Sequence, residues 1–498
     1  MIGMLQKFFM PIIIFLFGFH GASAQELLKV DSLSIEEIIL IAHRNSINAQ
    51  IAVNDYVADY WSYLNYKKKS YPMLAFYSNP VQYVQKFVRR YDSQNNLDVY
   101  KPQKSIYSSM GFVVRQRVNA TGGELFLETD FDYAKNFGSD QFQQFSTVPV
   151  RFGYSQELLG FNPYKWEKKL ETKKNEKTRK KIVHEFEKIS AETVKLCFAY
   201  LTASERVRIA QENCKKCDSI YSFAVEKKKI ASMTQTEILT LKLNLVDAQK
   251  ELRLLTIERE KAKEELLAFL NVNEDTNINI KIPLPEKQLL ITPEKAIVVA
   301  RENNPVYDDL ALKRMNAEMT VDRAKKSNIS SSLSLSLGYN QTASDFVGAY
   351  RKPLRQDLIS VSFNMPIFDW GIRKRERAIA KKDLESTLLT IEQEKENFER
   401  HLCFLVEKFN ESFKQIELAS EALDISLVTF EATFERFRIG KSNVESLKIS
   451  QDRLMSSELN YLNALSSYWN ALYEIRSLTL YDFIKSDHIG IDVDQYVN

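Results

Sequence analysis

A chain of 498 residues has room for three ordinary domains by length alone, and its 44% apolar and 27% charged content excludes a disordered polymer. The formal net charge is +3, or +2 without Lys7, so no nucleic-acid-binding surface is implied. Four cysteines in a chain this long exclude a disulfide framework.

Residues 1–24 read as a secretory signal peptide. Lys7 supplies the positive n-region, Phe8 to Phe19 the apolar stretch, and Ala22-Ser23-Ala24 the small-residue cleavage site. The rival is an uncleaved anchor, for which the apolar run is short. No cysteine follows the site, which argues against a lipoprotein. No later run of about 18 apolar residues follows, so a membrane-embedded part would have to be a β-barrel.

The rest is written twice. Leu33-Ser34-Ile35-Glu36 leading to Ala42-His43-Arg44-Asn45 is echoed by Ile291-Thr292-Pro293-Glu294 leading to Ala300-Arg301-Glu302-Asn303, at an offset of 258. Both open a helix, with Ser34 and Thr292 as N-caps and Pro293 at the first helical position. Each helix is expected to run about 35 residues, over 35–70 and 293–328. Further on, Leu196-Cys197-Phe198 is echoed by Leu402-Cys403-Phe404 at an offset of 206. The first copy therefore holds about 52 residues more than the second, the difference between 258 and 206. The expected organisation is a first repeat at 25–270, a proline-bearing connector at 271–292, a second repeat at 293–480, and a loosely held tail at 481–498.

Strand regions follow each opening helix, at about 73–157 and 331–367. Leu333-Ser334-Leu335-Ser336-Leu337 and Val361-Ser362-Phe363-Asn364-Met365 alternate strictly, as half-buried strands do. Met73 to Tyr77 and Val150 to Tyr154 are the counterparts. The excess supplies an inserted hairpin: Phe112 to Val118, a turn at Gly122-Gly123, then Leu125 to Tyr133 with Glu124, Glu128, Asp130 and Asp132 on the alternate face. The bland account is a soluble half-buried sheet. Against it stand the absence of a helical pattern to cover these strands and the aromatics near their ends (Tyr71, Tyr77, Phe131, Tyr133, Tyr154, Tyr339), as in an outer-membrane barrel. One chain offers four to six strands, fewer than the smallest such barrel, so closure needs several copies.

Helical hairpins complete the repeats, over about 164–270 and 371–480. Between Gly371 and Gly440 lie 68 residues without glycine or proline. Their apolar beat, from Leu388, Ile391 and Phe398 through Leu402, Leu405, Phe409, Phe413 and Ile416 to Leu423, Leu427, Phe430, Phe434 and Phe437, has a period of 3.5. Such a helix reaches roughly 100 Å. Ile238, Leu241, Leu245, Ala248, Leu252, Leu255, Ala262, Leu266 and Phe269 mark the return in the first copy, and Leu447, Leu454, Leu465, Leu472 and Thr479 in the second. Gly440-Lys441-Ser442-Asn443 reads as a tight turn, with Gly440 as C′ cap and Ser442 or Asn443 as the next N-cap. Ala231-Ser232-Met233-Thr234 holds the same place in the first copy. The fold class is mostly α with β: long antiparallel coiled-coil hairpins plus outer-membrane β-barrel strands.

No catalytic, metal or cofactor site is read. His43, His184, His401 and His488 lie far apart without carboxylate or cysteine at ligand spacing and read as helix-surface residues. Cys214 and Cys217 form a C-x-x-C inside a helix; a redox or zinc pair is the sharp reading, two helix-surface residues the bland one.

This order of elements resembles the TolC-type outer-membrane efflux proteins. Ser360 to Gly371, with its Pro366-Ile367-Phe368-Asp369-Trp370-Gly371 exit, is similar to the family's strand leading into the long helix. Gln156 to Asn162 is similar to the same exit in the first copy, and Tyr71-Pro72-Met73-Leu74 to the entry into the first strand. Phe437-Arg438-Ile439-Gly440, followed by Glu445 and Leu447, resembles the periplasmic turn. The resemblance implies a homotrimer in which three chains pool strands into one barrel in outer-membrane lipid. It implies a passive exit duct, not an enzyme, that docks onto a periplasmic adaptor and through it an inner-membrane pump. Adaptor-docking tips would be Ala231, Ser232, Met233, Thr234, Gly440, Lys441, Ser442 and Asn443. Tunnel-gate positions would be Glu237, Phe437, Glu445 and Lys448, and for any one of them the plain alternative is a solvated residue serving capping or dipole balance. Lys448 stands where the family often has a second acid, so a doubled acidic ring is not expected. The rivals are a periplasmic coiled-coil scaffold, which needs no alternating strands, and an adaptor subunit, which would carry one hairpin rather than two copies.

Overall fold

The computed structural model describes residues 33–92, 96–137, 141–228, 234–273, 278–281, 285, 289–326, 330–491 and 496. The signal-peptide reading at 1–24 and the tip residues Ala231, Ser232 and Met233 lie outside them. The chain divides into two compact units. One holds the described residues up to Ile51 with Glu185–Ile291 and Leu405–Ser477; the other holds Ala52–His184, Thr292–Phe404 and Leu478–Asn498.

The single opening helix expected in each repeat is two helices. The first copy has α1 (Ile35–Asn45) and α2 (Ile47–Lys68); the second has α5 (Pro293–Asn303) and α6 (Pro305–Lys326). The break at Ser46 has extended backbone, and its hydroxyl accepts from the Ala49 N–H, starting a new helix. Asn304 is extended because Pro305 follows it, which disfavours the helical region for the preceding residue. Both helix starts keep the 258 offset. Ser34 and Glu37 form a reciprocal capping box, whereas the Thr292 side chain makes no cap bond.

The strands build one antiparallel six-stranded meander in chain order: β1 (Met73–Asp92), β2 (Leu97–Val118), β3 (Gly123–Phe137), β4 (Phe142–Glu157), β5 (Ser330–Ala343) and β6 (Leu354–Asn364). The first copy thus contributes four strands and the second two, with the one-turn helix α7 (Gly348–Arg351) between β5 and β6. β1 and β4 extend well past the short runs readable in the sequence. The register slips between Asn79 and Gln82 and between Thr147 and Val150, where Pro80 and Pro149 interrupt the alternation. Proline has no ladder donor and is tolerated at such bulges.

Register gives the sheet two chemically different faces. One row runs Leu74, Val114, Leu127, Phe152, Leu337, and the next runs Leu125, Tyr154, Leu335, Ile359. The row on the other side of the first, Val113, Glu128, Arg151, Gly338, Gln356, belongs to the opposite face. There Arg151 bonds Glu128 at 2.5 Å and Asp130 at 3.2 Å, while Ser334, Ser336, Ser360 and Ser362 line the neighbouring strands. Gly153 lets the Phe126 ring lie against the backbone, where any Cβ would collide with it. The apolar face is open: Phe76, Leu127, Phe152, Leu337, Ile359 and Phe363 are all exposed. So is every residue of the edge strand β6.

The hairpins are α3 (Pro163–Lys228) with α4 (Gln235–Leu270), and α8 (Ile372–Arg438) with α9 (Val444–Thr479). Pro163 and Ile372 are 209 apart, as are Gln235 and Val444, so the first copy holds 49 extra residues, 258 less 209, rather than 52. The echoed Leu-Cys-Phe triplets are therefore not equivalent: Phe198 is buried and Phe404 is 64% exposed. Along the heptad row of α8, Leu402, Leu405, Phe409 and Ile416 are buried, whereas Leu388 and Leu427 are open. Phe409 packs on Tyr468 of α9 with ring centroids 4.9 Å apart.

Neither the connector nor the tail is slack where described. Leu33 bridges Ile280 in parallel, with Leu33 N–H donating to Asn279 O at 2.8 Å. After α9, Leu480, Tyr481 and Phe483 are buried, and β7 (Tyr481–Asp482) pairs with β8 (Asp487–His488). Asn303 bonds His488 at 3.0 Å. The loosely held end expected from the missing period is instead anchored by these aromatic side chains, at least to Ile491.

His43 and His184 are not surface residues. His184 is buried, and the His43 Nε2 lies 2.9 Å from Ser190 Oγ and 3.1 Å from Phe186 O. Burial, against the Phe186 carbonyl, pushes the His43 pKa below its ordinary 6.5. The fold thus favours the neutral ring, so its contribution is complete above pH 6.5 and is lost as the pH falls through the lowered value. The urea midpoint should fall between about pH 7 and pH 5.5, and a His43→Gln variant should lose that part of the fall. An identical pH profile in both proteins would remove His43 from the account.

Candidate functional site at the hairpin ends

The hairpin ends share one apolar core. Ile220 and Ala224 of α3, Ile238 and Leu241 of α4, Phe430 and Phe437 of α8, and Leu447 and Leu454 of α9 are all buried together. These are the inward beats of each helix, so the same 3.5 period that makes the helices closes their ends. Phe437 belongs to this core and does not project from it.

The second turn is a Schellman closure. Gly440 has φ +76°, its N–H donates to Phe437 O at 3.0 Å, and Lys441 N–H donates to Arg436 O at 2.8 Å. Asn443, not Ser442, is the N-cap: its Oδ1 accepts from Ser446 N–H at 2.8 Å. Lys441 and Asn443 are exposed and Ser442 is half-buried. In the first turn Thr234 caps α4. Glu237 N–H donates to Thr234 Oγ1 at 3.3 Å, and the Glu237 carboxylate accepts from Thr234 N–H and Oγ1, both at 2.8 Å. These two bonds hold the Glu237 carboxyl below the usual range. Its observed contacts are those of a capping box.

Glu445 stands exposed in the first turn of α9, and Lys448 reaches Asp452 at 3.6 Å. The three charged positions come together: Glu237, Glu445 and Lys448 line one open cleft of about 450 Å³ with Thr236, Thr240 and Val444. The fourth gate position, Phe437, is not among its lining residues.

A polar link that sequence reasoning missed lies one turn deeper. Gln451 of α9, only 7% exposed, donates from Nε2 to Asn213 Oδ1 and lies 3.8 Å from Cys217 Sγ, both on α3. The signal was present, since Asn213 and Cys217 are four residues apart and Gln451 follows Leu447 by four along the buried seam. Burial pushes the Cys217 thiol up, away from the thiolate that redox or metal chemistry needs. Among the described residues no cluster of His, Cys, Asp and Glu is arranged to hold a metal ion.

Comparison with known proteins places this architecture. Residues 296–479 match the family model of the outer membrane efflux proteins. No curated protein matches the chain significantly in sequence. Among solved structures, a membrane protein of Pseudomonas aeruginosa superposes with a TM-score of 0.67 at 12% identity, covering 92% of each chain. The CmeC outer membrane channel of Campylobacter jejuni gives 0.66 at 13% identity over 93% of this chain and 88% of its own. The open-state MtrE outer membrane channel of Neisseria gonorrhoeae gives 0.63 at 14% identity over 92% and 90%. At such identities the likeness carries the fold alone, and that fold spans both repeats. Its second repeat is thus similar in sequence to the outer membrane efflux proteins, and the whole chain is similar in fold to solved outer-membrane channels of that type.

Proposed function

We propose that the chain is the outer-membrane exit duct of a tripartite efflux or type I secretion system, a passive pore closed as a homotrimer. The observation that carries this reading is the sheet. An antiparallel meander with an open apolar face, a carboxylate-bearing opposite face and two unpaired edges is incomplete as a soluble fold. Three copies would supply eighteen strands, an even number within the range of outer-membrane barrels. The apolar rows would then meet lipid, and Glu128, Asp130 and Ser334 would line water. No helix of the described residues is long and apolar enough to cross a membrane.

The exposed turn around Lys441 and Asn443 would dock a periplasmic adaptor and, through it, an inner-membrane pump. The cleft holding Glu237, Glu445 and Lys448 would set the charge at the tunnel mouth, where three-fold repetition multiplies each side chain. Mixed signs there predict a weaker cation preference than an all-acidic ring would give.

Electron microscopy of the leaderless protein in detergent tests this. A three-fold particle with a detergent belt around the strands, and stepwise conductance in planar bilayers, is the expected result. Monomeric rods without a belt would replace the duct by a coiled-coil scaffold.

A further inference from the structure

The end of the sheet nearest the helices is strongly basic, and the charge is unevenly partnered. Residues 163–181 of α3 carry nine lysines and arginines against three glutamates, in a chain whose whole net charge is +3. Beyond the first two turns these lysines have carboxylates within the chain. Lys173 and Lys180 meet the buried Asp308, Lys177 meets Asp309, Lys174 meets Asp59 and Lys181 meets Asp55. Nearest the sheet the pattern stops. Lys165 and Lys168 are exposed and pair with no carboxylate among the described residues, and Lys169 lies over the Trp166 ring at 5.0 Å. The one acid there, Glu167, faces Lys69 at 3.8 Å and Arg117 at 3.9 Å instead.

Helix electrostatics do not account for these lysines. They sit at the N-terminal end of α3, whose first turn holds no acid, and cations there oppose the helix dipole. The second copy repeats the arrangement, with Lys374 and Arg377 exposed at the start of α8 beside the exposed Phe368 and Trp370. Lys165, Lys168 and Lys169, with Asn119 of the β2–β3 turn, line a groove of about 880 Å³, whose one carboxylate, Glu176, is paired with Lys173 at 3.0 Å. The turn is fixed there by Asn119 Nδ2 donating to Ser70 Oγ at 2.9 Å. Unpaired lysines beside interfacial aromatics, at the margin of an apolar sheet face, are the composition that recognises anionic headgroups.

We propose that this groove binds the phosphate headgroup of anionic phospholipid in the leaflet facing the helices. The proposal rests on the barrel reading, because that reading puts the strand–helix junction at a membrane surface. The test uses the full chain in zwitterionic detergent, titrated with phosphatidylglycerol or with phosphatidylcholine of the same acyl chains, bound lipid being counted by native mass spectrometry. The wild type should retain phosphatidylglycerol preferentially. The Lys165→Gln/Lys168→Gln/Lys169→Gln variant should bind it about 100-fold more weakly, at roughly five-fold per lysine near an anionic surface. A charge-matched control at Lys188, Lys195 and Lys261, none of which lines the groove, should not change binding, and arginine at all three groove positions should restore it. If the glutamine triple variant fails to fold, Lys168→Gln alone and the arginine triple carry the test.

Equal retention of both lipids by a wild type that keeps its detergent belt would overturn this site and leave the barrel standing. Retention of neither lipid, with no belt, would overturn the barrel reading itself. Glycerol 3-phosphate competing as tightly as the lipid would make the groove a small-anion site. Tighter retention of lipopolysaccharide would assign it to another surface. Either outcome overturns the proposal.

Discussion

Arg476→Met should be among the most damaging single substitutions in the hairpins, costing about 3–5 kcal/mol. The Arg476 guanidinium donates from Nε to the Glu187 carboxylate at 2.9 Å, and it stacks on Tyr473 at 5.3 Å. Glu187 is only 3% exposed. Truncating the arginine withdraws this cation from a carboxylate buried between α3 and α9, and the desolvation it had offset becomes the dominant cost. The cost lies in the buried charge that loses its arginine and not in the pair as such. The double variant Glu187→Gln/Arg476→Met should therefore recover much of the loss, giving a coupling of about 1–3 kcal/mol. Urea unfolding followed by circular dichroism reads all four corners of this cycle. A single-variant loss below about 1 kcal/mol, or strict additivity, would mean the pair is hydrated and carries no such weight.

These two residues also show what the sequence could and could not disclose. Periodicity made α8 legible: its row from Leu402 to Ile416 is buried as a 3.5 repeat demands. Apolar periodicity does not say which polar partners meet across a seam: Gln451 keeps the spacing of the buried row, yet its partner Asn213, like the pairing of Glu187 with Arg476, comes only from the fold. The break in the second opening helix was available in Pro305, while its twin at Ser46 carries no breaker and needs the fold to reveal it. Strand length failed for a local reason, since Pro80 and Pro149 interrupt an alternation that the ladder resumes beyond each bulge. At the tips, Thr234-Gln235-Thr236-Glu237 already spelled a capping box, a reading that competes with any role for Glu237 at a gate. Phe437 kept the beat of the buried row, and that beat is where the structure puts it. Family likeness points to a region of the chain, whereas the geometry of single side chains decides which of its members are free to act there.

Leu127→Arg should block membrane insertion, while Glu128→Gln, one residue along, should leave it intact. Leu127 lies in the apolar row with Val114 and Phe152 and is exposed, whereas Glu128 turns to the opposite face and bonds Arg151. On a lipid-facing position near the bilayer midplane an arginine costs about 2–4 kcal/mol. If three chains share one barrel the penalty is incurred three times, enough to abolish assembly. The neighbouring glutamine removes a charge from the opposite face, where in a closed barrel it should alter ion preference and spare folding. Reconstitution into phosphatidylcholine vesicles, with alkaline extraction to strip unincorporated protein, separates the two outcomes. Equal incorporation of Leu127→Arg and wild type would show that the apolar rows do not meet lipid. The sheet would then have to bury that face against another protein surface, because alternation this regular across five strands leaves no third place for it.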